Sequence, residues 1–229
     1  MIRKTTSVVM VTGLLVACSP QKKTDEAPQA SASSAFASAA AAVPMAVDTL
    51  SCAGPVKQGD TAKSLMATYG KDATLGMIPG AEGTEEKGLI LFDKDSKHRL
   101  EVFFADEAMT QVSLVMARGT STAWKGPEGL HLGSKLGDIE LANGRGFTVG
   151  GFDWDYGGYV SDLKGGRLAE IPGGCMFGLR MGFAEGNTNP VPDSLIGERT
   201  LDSGDPVLKK ASPVVQEMTI GWSVAEPAA

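Results

Sequence analysis

Apolar and polar residues alternate one for one through several stretches of this chain. Leu100, Val102 and Phe104 fall on one side of an extended backbone, and so do Val112, Leu114 and Met116. Cys175, Phe177, Leu179 and Met181 repeat the pattern. In "VVQEMTIGW" the face is Val214, Met218, Ile220 and Trp222. A period of two predicts half-buried strands. Less regular runs extend the prediction to strands near 73–78, 88–92, 146–156, 159–163 and 167–171, with "DKDSKH" at 93–98 and "KGG" at 164–166 as hairpin turns. Helix signals are short. "DTAKSLMATYG" offers Asp60 as N-cap and Gly70 as stop, and "SKLGDIELANG" offers Ser134 and Asn143-Gly144. "DPVLKKASP" offers Asp205, then Pro206 at the first helical position, then Pro213.

The first two helices align without gaps at an offset of 74 residues, with Gly59 on Gly133, Gly70 on Gly144, Thr74 on Thr148 and Gly76 on Gly150. Each leads into a run of short strands. The expectation is an α+β fold, mainly antiparallel β with few short helices, built as a tandem repeat of one helix plus about four strands. The units are about 59–117 and 133–183, followed by a C-terminal helix and strand at 205–222, within a folded region of 51–222. This plan resembles the tandem units of the beta-lactamase-inhibitor-like class and the single-unit SmpA/OmlA outer-membrane lipoproteins. It departs from them in having one short helix per unit where those folds have a helix pair.

The two ends read differently. Arg3 and Lys4 precede an apolar run, "SVVMVTGLLVA", of signal-peptide length and too short to span a bilayer. It closes on "LVAC", which resembles the lipobox of bacterial lipoproteins. The resemblance implies a signal peptide over 1–17, a mature chain beginning at a lipidated Cys18, and, with Ser19 rather than Asp next, an outer-membrane address facing the periplasm. The other reading of the segment is an ordinary cleaved signal that ends in Cys. Residues 18–50 are Ala, Ser, Pro and Gln with little to bury and read as a disordered tether or, through the alanine run, a transient helix. Residues 223–229 read as a disordered tail.

Charge narrows the partners. Without Arg3 and Lys4, 19 basic residues face 27 acidic ones, a balance of −8 with no Lys/Arg cluster. That argues against nucleic acid, and leaves the membrane to be reached through the anchor. Cys52 and Cys175 remain as an even pair, which in an oxidising compartment predicts a disulfide.

Catalytic signals are poor. His98 and His131 lie far apart without companion ligands, so no metal is expected; no G-x-S-x-G or Walker sequence occurs, and "NGRGFTVGG" misses the dinucleotide fingerprint. No cofactor and no catalytic residue is expected. One stretch stands out, "GGFDWDYGGYV" at 150–160. As a strand it puts Phe152, Trp154 and Tyr156 on the core face and Asp153 and Asp155 toward solvent, between glycine hinges. The alternative makes Trp154 and Tyr156, with Asp153 and Asp155, a binding groove for a sugar or a partner side chain. Two functions follow. One is a non-catalytic envelope lipoprotein that binds a protein partner, or inhibits a hydrolase; the other is a periplasmic glycan-binding protein or cell-wall hydrolase using 152–156.

Overall fold

The computed structural model describes residues 48–119 and 122–224. The leader, Cys18, the tether up to residue 47 and the tail from residue 225 lie outside the described residues. Along the chain come α1 (Ala62–Tyr69), β1 (Ala73–Pro79), β2 (Glu85–Leu91), β3 (Leu100–Phe104) and β4 (Val112–Arg118). Then follow α2 (Leu136–Asn143), β5 (Thr148–Gly150), β6 (Val160–Asp162), β7 (Met176–Gly182), β8 (Thr200–Asp202), α3 (Pro206–Ala211) and β9 (Val214–Gly221).

The predicted class holds: among the described residues, two antiparallel sheets and three short helices make an α+β fold. Six strands form one sheet in the order β1-β2-β3-β4-β9-β7, and β6-β5-β8 form a second. Local chemistry explains the helices. Thr61 caps α1 through its hydroxyl, which accepts from Ser64 N–H, while Ser64 returns the bond to Thr61 N–H. The cap is one residue later than the expected Asp60. At α2 the N-terminal bond is Lys135 N–H to the Asp138 carboxylate, 2.7 Å, whereas the expected cap Ser134 accepts from His131 N–H instead. α3 forms as predicted, with Asp205 accepting from Val207 and Leu208.

The inner face of the large sheet is aliphatic. Val102, Val115 and Ile220 stand side by side across β3, β4 and β9 and are fully buried. Leu65 of α1 and Ile139 of α2 belong to the same buried cluster. At 25 cal/mol per Å² such burial is the main force holding the sheet to its helices.

Two bulges alter the predicted faces. Between Phe103 and Phe104 the register shifts against β4, so Val112 turns inward while Leu114 and Met116 turn to the outer face. Between Arg180 and Met181 it shifts against β9, and Val215 takes the core place assigned to Val214. An extra residue on one strand reverses the alternation beyond it. In β7 the reading stands: Phe177, Leu179 and Met181 are buried.

The tandem repeat does not appear. α1 and β1–β4 form the expected helix-plus-meander, but β5 and β6 leave the large sheet and join β8. The predicted strand at 167–171 is a series of turns. After the Lys164–Gly165 turn, Arg167 N–H binds Asn143 O and Leu168 N–H binds Asn143 Oδ1, so this segment is secured to the end of α2 rather than to a strand. A Cβ on Gly166 would lie 2.0 Å from Asn143 Oδ1, so glycine is needed for that approach.

The chain enters the domain through Asp48–Cys52. Thr49 bridges Lys125 in parallel, Leu50 N–H donates to Lys125 O at 2.8 Å, and Leu50 is fully buried. The sulfurs of Cys52 and Cys175 are 1.96 Å apart, at disulfide distance, across 123 residues of sequence.

Candidate functional site

Residues 152–156 are not a strand. Phe152 makes one parallel bridge to Ile196, and the chain then turns through Asp153, which has φ 61°, into a tight loop. A strand cannot accommodate a left-handed residue at its centre. The loop is held from both sides. Gly158 N–H donates to Gly151 O across its neck, and Trp154 Nε1 donates to Gly151 O at 2.9 Å. On the other side Arg180 of β7 donates from Nε to Gly157 O (2.8 Å) and from Nη2 to Asp155 O (2.9 Å). Gly158 has φ +79°, and a Cβ there would stand 2.0 Å from Met181 O. Glycine is therefore required where the loop meets β7.

This geometry separates the aromatics that the sequence put on one face. Phe152 is buried, Trp154 is half-buried, and Tyr156 is 48 % exposed. Trp154 and Tyr156 remain neighbours, in an edge-to-face pair with centroids 5.6 Å apart. Asp153 and Asp155 are exposed. Tyr156 Oη donates to Glu82 in the β1–β2 turn at 3.2 Å, and the charge of Glu82 raises the phenol pKa above its ordinary value.

The loop and the β1–β2 turn border a groove of about 420 Å³ over the outer face of the large sheet. Its floor carries Phe103, Leu114, Met116 and Arg118; its sides carry Glu86, Trp154, Asp155, Tyr159, Arg180 and Glu217. The Arg180 guanidinium lies 4.8 Å over the Tyr159 ring and reaches Glu217 Oε1 at 3.4 Å. Burial, and then the charge of Glu217, raise the pKa of the Tyr159 phenol. Beside the groove, Glu101 of β3 is 2 % exposed and receives two arginines: Arg99 at Oε1 and Arg118 at Oε2, the latter at 2.7 Å. A buried carboxylate is tolerable only with such partners.

Trp154 and Asp155 line the groove, whereas Tyr156, paired with Trp154 and bonded to Glu82, is not in its lining. Asp153 does not line it. The sequence reading missed Arg118, Tyr159, Arg180 and Glu217. All but Tyr159 occupy outward positions of strands, where alternation alone assigns a charge to solvent.

Elsewhere, a cavity of about 590 Å³ lies between α3 and the 183–192 segment, with Phe183, Val191, Pro192 and Val207 in its lining. A third, about 420 Å³, includes His131, Ser134 and Asp138. Ser134 Oγ stands 3.4 Å from His131 Nδ1, but that nitrogen is 2.9 Å from Leu132 O, to which it must donate. The imidazole so bonded cannot take a proton from the hydroxyl through Nδ1, and the arrangement is a turn closure rather than a nucleophile and its base. Among the described residues no three His, Cys, Asp or Glu side chains gather as a metal site, and no helix is long and apolar enough to cross a membrane.

Comparison with protein-family models, with curated proteins and with solved structures finds no match.

Proposed function

We propose that the protein is an outer-membrane lipoprotein, anchored through Cys18, whose periplasm-facing domain is a non-catalytic module that binds a protein partner. The anchor rests on the leader and on "LVAC". In this reading the Cys52–Cys175 pair is oxidised, as its compartment favours. The observation that carries the binding role is the groove beside the Trp154 loop. It is concave, half apolar and rimmed by aromatic residues, as recognition sites are. Its arginines are engaged with carboxylates and backbone carbonyls, an arrangement that builds a shaped surface rather than an acid–base pair.

A second reading, a glycan-binding protein, is favoured by the placement of Trp154 and Tyr159 in the same groove, since sugars stack on such rings. Cross-linking in intact cells, followed by mass-spectrometric identification of what is joined to the tagged chain, separates the two. One dominant protein partner, lost when Trp154 and Tyr159 are replaced by Ala, supports the module. Recovery of glycan without protein transfers the groove to the second reading.

A further inference from the structure

We infer that the groove receives a basic side chain, lysine or arginine, of the protein partner; this rests on the binding role proposed above. Charge complementarity is the argument. Both cations in the lining are already engaged. Arg180 gives Nε to Gly157 O, Nη2 to Asp155 O and Nη1 to Glu217 Oε1, with its plane over Tyr159. Arg118 donates from Nη2 to Pro79 O at 3.3 Å and is ion-paired with Glu101 Oε2 at 2.7 Å.

The anions are not equally served. Glu217 is 13 % exposed at its side chain, and its Oε2 is buried with no hydrogen-bond donor, as is Glu101 Oε2, which has the Arg118 charge at 2.7 Å. The carboxylates of Asp155 and Glu86 have neither a hydrogen bond nor an ion pair among the described residues. A buried carboxylate oxygen lacking a donor is unusual and calls for one. An ammonium or guanidinium supplies donors but no acceptor, so it satisfies Glu217 without competing for the arginines. The stem of such a side chain is apolar and suits Phe103, Leu114 and the Trp154 ring, which also attracts a cation over its face. An incoming anion finds the arginines engaged and three carboxylates facing it.

The test uses the full chain in detergent and a capped Gly-Lys-Gly-Lys-Gly peptide, followed through the indole resonance of Trp154 assigned with Trp154→Phe. The expected result is saturable binding that vanishes when both lysines are acetylated. Glu217→Gln should weaken it about tenfold, and Asp155→Asn, at the exposed rim, severalfold with the fold intact. Equal binding of the acetylated peptide, or no effect of either substitution in a folded chain, overturns the inference. Spermidine binding as tightly as the peptide also overturns it, by assigning the site to free amines. In cells, a partner captured equally well by a chain carrying both Glu217→Gln and Asp155→Asn sinks this inference while leaving the binding module standing. A parent chain that captures no protein sinks the module itself.

Discussion

Residues 62–118 and 136–222 begin alike, each with an eight-residue helix leading into an extended segment, and they end differently. In the first region every strand pairs with its neighbour in sequence, β1 to β2 to β3 to β4, through short turns. In the second, β5 finds β8 some fifty residues on, and β9 returns to pair with both β7 and β4. The first is a meander that local contacts can close; the second closes only when distant segments meet, at greater loop-entropy cost. The devices that permit close approach are concentrated there: Gly158 against Met181, Gly166 against Asn143, and Cys175 against Cys52.

The contrast can be broken by removing those devices. Replacing Cys52 and Cys175 together by Ser should cost about 2–5 kcal/mol in chemical denaturation, the range for native disulfides. Amide exchange should then quicken in 176–182 and 214–221 more than in 85–104; uniform quickening would erase the distinction. Gly158→Ala should cost roughly 2–3 kcal/mol through its left-handed backbone and the Met181 carbonyl. Gly76→Ala, in β1 and meeting only the end of the Ile90 side chain at 3.0 Å, should cost under about 1 kcal/mol. Equal losses at the two glycines would refute the contrast.

Trp154→Ala sharpens the picture within the second region. A half-buried ring in a clamped loop should lose about 1–2 kcal/mol, measured by thermal melting, against the roughly 3–5 kcal/mol typical of a buried aromatic such as Phe152. A loss of the larger size would make Trp154 a core residue.

The smallest effect belongs to the first region. His98, in the β2–β3 turn, stands 2.6 Å from Asp95 and 3.0 Å from Asp48, with Trp124 edge-on to its ring. The hydrogen bond that His98 Nδ1 donates to Asp95, and then the nearby carboxylate charges, raise its pKa. Protonated imidazole is thus favoured in the folded state. The stabilisation is fully present below the ordinary value of about 6.5 and is lost as pH rises through the raised folded value. Solvent screening keeps it under about 1 kcal/mol. His98→Gln should flatten the fall in stability above about pH 6.5; an unchanged profile would show the contacts to be energetically silent.

Legibility follows the same division. α3 was readable because Asp205, Pro206 and Pro213 act locally, and β7 because its alternation is unbroken up to the bulge. The bulges at Phe103–Phe104 and Arg180–Met181 leave no mark in composition, since any residue can be the extra one. "GGFDWDYGG" has the period of a strand but sits between glycines demanded by its neighbours, and tertiary contact decided its course. Glu101 and Glu217 occupy solvent-phase positions in sequence, yet Glu101 is buried and ion-paired with Arg99 and Arg118, and Glu217 is 13 % exposed at its side chain.

The Cys52–Cys175 link also decides how the domain carries force. A pull on the chain ahead of Asp48 first loads the parallel Thr49–Lys125 bridge, then Cys52. From there, through an oxidised pair, tension passes straight to Cys175 and into β7, next to Arg180 and its partner Glu217. If the opposing grip is on Arg180 or Glu217, the path through the two sulfurs is shorter than the 122 residues that join the two cysteines. Rupture under tension is governed by the unfolding barrier of what lies in that line. Oxidation would place β7 and its pairing with β9 in that line.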